Sequence, residues 1–531
     1  MTASEEASSK VAETNDSAGW SRTRLVGLVL GPGLALLTLL LPPFGGLSLA
    51  GQSVVAATAW IAVWWITEAI PIPVTSLLPL VLLPVLGAMP GKVVASQYAG
   101  DPIFLFLGGF LLAIAIERCA LHRRIAVGII RVMGMGPSRA VLGFMLASAF
   151  LSMWISNTAT TLMMLPIALA VIGTLQERLS DERQRANLAV GLLLGVAWGS
   201  SLGGIATPVG TPPNVVFLGL YDRLYEAGPR ISFSQWIFAF LPLTIVGLPV
   251  AWLLLTRVFY PAGRAAPATG DGDGLPAQDG PMTADQARVL AVFAGTALLW
   301  ITRANVDLGF ATLPGWSNLL GDARGMVTDG TVAVFSAGLL FLLPSANREN
   351  SRTLLRWRDS RDVPWGILLL FGGGFAIAHA FKETGVSKAI GDTLHQLDGL
   401  PILLLILLIA LAVTHLTEIT SNTATTTVLV PIAAAASIPL DVHPLVVMLP
   451  VTLAASCAFM LPVATPPNAI VFGSGKIRMG QMLRPGIVLN LITAVLIALV
   501  IQLVATRIFH IEPREVPDWA RVDVEQKLER K

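Results

Sequence analysis

With 531 residues, 54% of them hydrophobic and 13% charged, the chain lies far below the roughly one-quarter charged residues of a soluble protein. Its net charge of +2 is too small to suggest nucleic-acid binding. Cysteine is scarce: Cys119 and Cys457 lie in or beside apolar segments and read as small core hydrophobes.

From the N-terminus, residues 1–21 are polar and lack the basic start and short apolar core of a signal peptide. They read as a disordered cytoplasmic tail. Apolar stretches then recur, among them Leu25–Pro42, Ile237–Tyr260, Val289–Ile301, Val332–Leu343 and Gly486–Val504. They predict an all-α polytopic inner-membrane protein, with about eleven transmembrane helices plus two re-entrant hairpins. Residues 22–262 form a first repeat, with scaffold helices, a hairpin around 137–175 and a broken helix around 187–220. The Gly-, Ala-, Pro- and Asp-rich segment 263–287 reads as a flexible cytoplasmic linker. Residues 288–509 form a second repeat, with a hairpin around 400–438 and a broken helix around 444–473, followed by a tail, 510–531. Trp60, Trp64 and Trp65 read as core and interfacial anchors.

The repeats rest on landmarks in one order. Ser156-Asn157-Thr158-Ala159-Thr160-Thr161 returns unchanged as Ser421-Asn422-Thr423-Ala424-Thr425-Thr426, at an offset of 265. The glycine-rich stretch 106–113 matches 371–378, and Pro166 matches Pro431, at the same offset. Pro208-Val209-Gly210-Thr211-Pro212-Pro213-Asn214 matches Pro462-Val463-Ala464-Thr465-Pro466-Pro467-Asn468 at an offset of 254. Arginines crowd 118–139, 178–185 and 348–361, whereas 386–400 carries only Lys388. With the N-terminus inside, the two hexapeptides enter from opposite faces, which makes the repeats inverted in topology. Span counting places the C-terminus outside.

Each hexapeptide lies between apolar arms: Ala140–Ile155 and Leu162–Leu175, then Pro401–Leu416 and Val428–Ile438. An arm of about 15 helical residues rises only ~22 Å, short of a ~30 Å hydrocarbon core, so each pair predicts a hairpin with Ser-Asn-Thr at its tip. Each Pro-Pro pair removes two backbone donors and predicts a break, after half-helices over Leu188–Leu202 and Pro444–Leu461. Helices resume at Val215–Leu220 and Ala469–Phe472 in this reading. Free carbonyls, hydroxyls and amide oxygens are hard ligands for an alkali cation such as Na⁺. Amide donors and helix N-termini suit a carboxylate or another oxyanion. One such patch could merely bridge helices, but two identical copies, each followed by a Pro-Pro break, point to paired sites.

These motifs, together with Trp65-Ile66-Thr67-Glu68-Ala69-Ile70-Pro71, resemble the divalent anion/sodium symporter family, the dicarboxylate and citrate carriers. The resemblance spans about residues 60–502 and implies two inverted repeats, a dimerising scaffold and an elevator-type transport domain. It implies a first Na⁺ site of Ser152, Ser156, Asn157 and the Gly210 carbonyl. A second would use Thr417, Ser421, Asn422 and the Ala464 carbonyl. The substrate would meet Asn157, Thr158, Thr211, Pro212, Asn422, Thr423, Thr465 and Pro466. The function implied is Na⁺-coupled symport of C4-dicarboxylates (succinate, fumarate, malate) by a homodimer in the plasma membrane. Na⁺ is the coupling ion, and no other cofactor and no enzymatic activity are expected.

A Na⁺-independent exchanger, or a citrate or sulfate carrier, would use the same fold; a channel or sensor would use the clusters as a pore or receptor pocket. Glu418 and His415 could shuttle protons, but Glu418 reads as structural support beside the second site. His379, Lys382 and Glu383 read as an interfacial polar cap, and Thr160-Thr161 and Thr425-Thr426 as helix packing. Neither a phosphate-binding Gly-Lys-Ser/Thr loop, nor a His-Glu-x-x-His motif, nor a nucleophile elbow is present, so neither ATP nor an intramembrane enzyme is indicated.

Overall fold

A computed structural model describes residues 22–43, 46–134, 136–263, 280–307, 312–346, 352–387, 389 and 399–525. The predicted tail 1–21, Lys388 and most of the linker (264–279) lie outside them. Helix dominates, and the one sheet among the described residues is the short antiparallel ribbon of Val306–Asp307 with Thr312–Leu313. Among the described residues nine helices are long and apolar enough to cross a bilayer, against about eleven predicted for the chain. A tenth is reached only if 316–326 and Asp329–Leu342, bent by 107°, count as one span.

In chain order, α1 (Arg22–Leu40) packs on α2 (Leu49–Thr67), where Trp64 Nε1 donates to the Gly27 carbonyl at 3.0 Å and Trp65 is buried. Short helices over Ile72–Thr75, Pro79–Val85 and Gly91–Ser96 lead to α3 (Asp101–Arg118), and α4 (Leu121–Met133) follows. The first hexapeptide joins α5 (Pro137–Ser152) to α6 (Asn157–Glu177), and the first Pro-Pro motif joins α7 (Glu182–Gly204) to α8 (Pro212–Leu224). Next come α9 (Phe233–Leu253), α10 (Ala284–Ile301), α11 (Asp329–Leu342) and α12 (Trp365–Thr384). The second hexapeptide joins α13 (Ile402–Leu416) to α14 (Asn422–Ser437). The second Pro-Pro motif joins α15 (Pro444–Ala455) to α16 (Pro466–Gly473), and α17 (Met479–Val500) follows.

Several predicted boundaries move, each for a local reason. The arms expected to begin at Leu162 and Val428 begin at Asn157 and Asn422, because Ser156 and Ser421 take the helix N-cap positions. With 21 residues, α6 is no short arm; it is long enough to span. The resumed helices begin at Pro212 and Pro466, not at Val215 and Ala469, since proline in the first turn lacks only an N–H that has no intrahelical partner there. The half-helix predicted to end at Leu202 reaches Gly204, whereas the one predicted to end at Leu461 stops at Ala455. The linker predicted to reach 287 ends earlier, where Thr283 and Gln286 form a capping box and start α10. In the predicted tail 510–531, α18 (Asp518–Glu525) is helical. Trp519 packs its ring against Tyr221, Tyr225 and His443, so the tail folds onto the face where α8 ends and α15 begins.

The core is built on close backbone approach. Every residue of α7 from Leu188 to Gly204 is buried, and α7 lies directly on α5. A Cβ on Gly199 would stand 2.7 Å from the Met145 carbonyl oxygen, and one on Gly203 would penetrate the Ala149 backbone. Without a hydrophobic drive between helices in lipid, such small-residue contacts supply the dispersion that holds them. The second glycine-rich stretch works similarly. Added Cβ atoms at Gly372, Gly373 and Gly374 would strike Tyr98, the Ser76 carbonyl and the Thr427 methyl on three sides of α12.

One cation joins α8 to the helices around α12. Arg223 Nε donates to Gln97 Oε1 at 2.8 Å, and its Cζ lies 3.9 Å from the centre of the Phe375 ring. Lys382 Nζ donates to the Arg223 carbonyl at 3.3 Å.

Gly203→Leu is expected to lose folded protein, since overpacking of this kind costs at least about 1–3 kcal/mol. Thermal unfolding of the detergent-purified protein, with Gly128→Leu at an open position as control, measures the difference.

Candidate functional site

The first cluster forms where α5 stops and α6 starts. Ser152, wholly buried at the last turn of α5, donates through Oγ to Asn157 Oδ1 at 2.5 Å. Ser156 (φ −57°, ψ 146°) accepts the Ala159 N–H at 3.2 Å through Oγ, capping α6. Opposite lies the break between α7 and α8, closed by Thr211 in an extended conformation (φ −142°, ψ 142°). A Cβ on Gly204 would stand 2.5 Å from Asn157 Oδ1 and 3.0 Å from the Gly210 carbonyl oxygen; one on Gly210 would stand 2.9 Å from the Ser152 carbonyl. Ser152, Asn157, Gly204 and Gly210 therefore converge, and only glycine fits at 204 and 210.

The second cluster is built alike. Thr417 Oγ1 lies 2.7 Å from Asn422 Oδ1 and 3.1 Å from the Ala455 carbonyl. Ser421 caps α14 by backbone position alone (φ −66°, ψ 128°). Thr465 is extended (φ −141°, ψ 148°) and accepts the Asn468 N–H at 3.3 Å. The Ala464 N–H donates to the Leu461 carbonyl at 3.2 Å, forming the counterpart of the turn before Gly210.

Helix packing crosses the two copies. The arm α6 rests on α16, and α14 rests on α8. Asn157 and Thr158 thus start the helix that lies against the one opened by Thr465 and Pro466. Asn422 and Thr423 likewise start the partner of the helix opened by Thr211 and Pro212. Thr161 Oγ1 donates to the Asn157 carbonyl at 2.9 Å, and Thr426 Oγ1 to the Asn422 carbonyl at 2.9 Å, so these threonines serve the helix backbone.

The copies differ at Glu418. Its Oε1 accepts the N–H groups of Phe459 and Met460 at 2.8 and 2.9 Å and Asn490 Nδ2 at 2.7 Å; its Oε2 accepts the Leu461 N–H at 3.0 Å. After Ala455 the Ser456 and Cys457 N–H groups tighten to carbonyls three residues back, and the donors of 459–461 that a continuing helix would use are gathered by a side chain of the hairpin, so α15 does not run on. Met153 stands at the equivalent position in the first copy, and α7 there runs on to Gly204. Asn490, one polar residue in an apolar run, gave no sequence signal. Asn214 and Asn468, the last residues of the Pro-Pro motifs, prove wholly buried.

Chemically, each cluster offers a hydroxyl, an amide oxygen and backbone carbonyls, the neutral hard ligands an alkali cation takes. No group of three or more His, Cys, Asp or Glu converges among the described residues, so transition-metal chemistry has no donor set there. The starts of α6 and α14 present first-turn N–H groups suited to an oxyanion, whereas α8 and α16 open on Pro-Pro pairs that have none, and the Asn214 and Asn468 N–H groups that follow are taken by Thr211 and Thr465.

Comparison with known proteins agrees with this chemistry. Residues 22–510 match the family described as the sodium:sulfate symporter transmembrane region. The chain is 43% identical over 495 residues to the sodium-dependent dicarboxylate transporter SdcS of Staphylococcus aureus (strain NCTC 8325 / PS 47), covering 91% of this chain and 92% of that one. SdcS of strain MRSA252 is 43% identical over 492 residues, covering 91% of each. The fold is similar to that of the YdaH transporter of Alcanivorax borkumensis. The TM-score is 0.54 at 14% identity, over 77% of this chain and 87% of that one, a likeness of fold alone.

Glu418→Ala would leave the Met460 and Leu461 N–H groups and Asn490 Nδ2 without their acceptor, the Phe459 N–H keeping only Asn490 Oδ1, and is expected to cost about 3 kcal/mol or more. A fall in melting temperature of the purified protein, smaller for Glu418→Gln, is the measurement.

Proposed function

The chain belongs to the sodium:sulfate symporter family, and from that premise we propose that it carries out Na⁺-coupled symport of C4-dicarboxylates such as succinate, fumarate and malate. It is a transporter, not an enzyme, set in the plasma membrane by its many apolar helices. The observation that carries the reading is the pair of Ser/Thr hydroxyl–Asn Oδ1 contacts, Ser152 with Asn157 and Thr417 with Asn422. In this reading Ser152, Ser156, Asn157 and the Gly210 carbonyl hold one Na⁺. Thr417, Ser421, Asn422 and the Ala464 carbonyl hold the other.

Each motif asparagine then serves twice. Its Oδ1 faces the cation, while its Nδ2 donates to a substrate carboxylate. The dianion lies between Asn157, Thr158, Thr465 and Pro466 on one side and Asn422, Thr423, Thr211 and Pro212 on the other. Binding is coupled because the anion meets no Lys or Arg in these motifs: its charge is balanced by the two cations and by helix N-termini. A third Na⁺ would add one net charge, worth about 2.3 kcal/mol per 100 mV.

The reading also includes two inverted repeats, hairpins entering from opposite faces, a homodimer, and elevator movement of the clusters against a fixed scaffold. A Na⁺-independent exchanger is the second reading, but intact Ser152 and Thr417 favour cation coupling.

Radiolabelled succinate uptake into proteoliposomes is expected to require Na⁺ and to stop in choline, with competition by malate, citrate and sulfate ranking the anions. Asn157→Ala and Asn422→Ala should each lower uptake by at least about 100-fold at normal expression. Unchanged uptake in choline would remove the symport reading.

Elevator movement has its own test at Arg223. With Cys119 and Cys457 replaced by alanine, a short bifunctional maleimide joining Gln97→Cys to Arg223→Cys should arrest uptake. Uninterrupted uptake in the cross-linked protein would mean that α8 and the segment around Gln97 move as one body.

A further inference from the structure

Asn214 and Asn468 are wholly buried, and their side chains make matching bonds. Asn214 Nδ2 donates to the carbonyls of Gly204 at 3.2 Å, Ile205 at 3.2 Å and Thr207 at 2.8 Å. Asn468 Nδ2 donates to the carbonyls of Ala458 at 3.1 Å and Leu461 at 3.0 Å. Ala458 and Leu461 stand at the offset of 254 from Gly204 and Thr207, the same offset that relates the asparagines themselves. In both copies the last of these carbonyls is shared. The Gly210 N–H reaches Thr207 O at 3.4 Å, and the Ala464 N–H reaches Leu461 O at 3.2 Å. The orientation of each amide follows from chemistry, since carbonyls only accept and the nitrogen must face them. Each Oδ1 is left without a hydrogen-bond partner among the described residues.

We propose that Asn214 and Asn468 are positioning residues of the two cation sites, each pinning the one-turn loop that presents the Gly210 or Ala464 carbonyl. The inference rests on reading the clusters as Na⁺ sites. A helix that stops inside the membrane leaves the carbonyls of its last turn without donors, and no water is at hand to supply them. One side-chain NH₂ at the start of the resumed helix satisfies carbonyls at the break and ties that start to the end of α7 in the first copy and to the loop that follows α15 in the second. The carbonyl that follows is thereby held at a fixed distance from the hydroxyl and amide of the facing hairpin. Neutrality matters as much as geometry. Lysine or arginine would supply donors but would repel a cation across a low-dielectric gap, and aspartate would repel the carbonyls.

The test is the Na⁺ dependence of the full-length protein carrying Asn214→Asp, Asn214→Ser, Asn468→Asp or Asn468→Ser. Aspartate keeps the size and removes the donors; serine keeps one donor. Each aspartate variant is expected to raise the half-saturating Na⁺ for succinate uptake roughly tenfold, and each serine variant less. Half-saturating succinate, measured at saturating Na⁺, should change less than twofold. In detergent, without substrate, the rise in melting temperature on exchanging choline for Na⁺ should shrink in the same order. Folded variants with wild-type Na⁺ dependence would overturn the proposal. So would failure of all four to fold, since that assigns the asparagines to folding alone. If the wild-type protein shows no Na⁺ dependence, the symport reading itself fails, a result distinct from either of these.

Discussion

Inside a bilayer, a backbone group freed from a helix has no water to turn to, so every break must be repaid by the protein within a few ångströms. Two helix breaks and two hairpin turns form the candidate site, and their carbonyls and N–H groups are matched by Asn214, Asn468, Glu418, Asn490 and Ser156. This constraint explains the composition of the region. Side chains that satisfy carbonyls without adding charge are amides, and side chains that start helices are serine, threonine and proline. The residue types that make the breaks tolerable, amides and hydroxyls, are also the types the proposed ion sites use.

Charge is placed with the same economy. The one buried carboxylate by the break, Glu418, is spent on four donors, so its formal charge is tied to the backbone of residues 459–461. The motif residues themselves are neutral. Proposed ion and substrate binding therefore work through oriented dipoles and through each other, which makes one depend on the other.

Much of this was legible in the sequence because the signals are local. The duplicated Ser-Asn-Thr, the Pro-Pro pairs and the glycine stretches each state a short-range requirement, and the structure places a break or a close contact at each. The misjudged boundaries share a different cause. α15 does not continue into 459–461 because Glu418, about forty residues before Phe459, and Asn490, about thirty after it, take the donors there. No window along the chain contains that competition. The first copy has Met153 in place of Glu418, and no such carboxylate gathers the donors past Gly204. The asparagines of the Pro-Pro motifs were visible as residues, but their partners come from seven to ten positions earlier, across a break whose shape no periodicity describes.

The exchanged packing, α6 on α16 and α8 on α14, has a consequence for how the protein is made. When the first hexapeptide and its break leave the ribosome, the helices that will cover them do not yet exist. About 250 more residues must follow, which at about 5–20 residues per second takes on the order of 10–50 s. During that interval the half-built cluster stands in the membrane with its hydroxyls and amides uncovered. A chain truncated before α14 would carry this exposed polar face permanently, as a mark of incomplete synthesis for the quality-control proteases of the membrane.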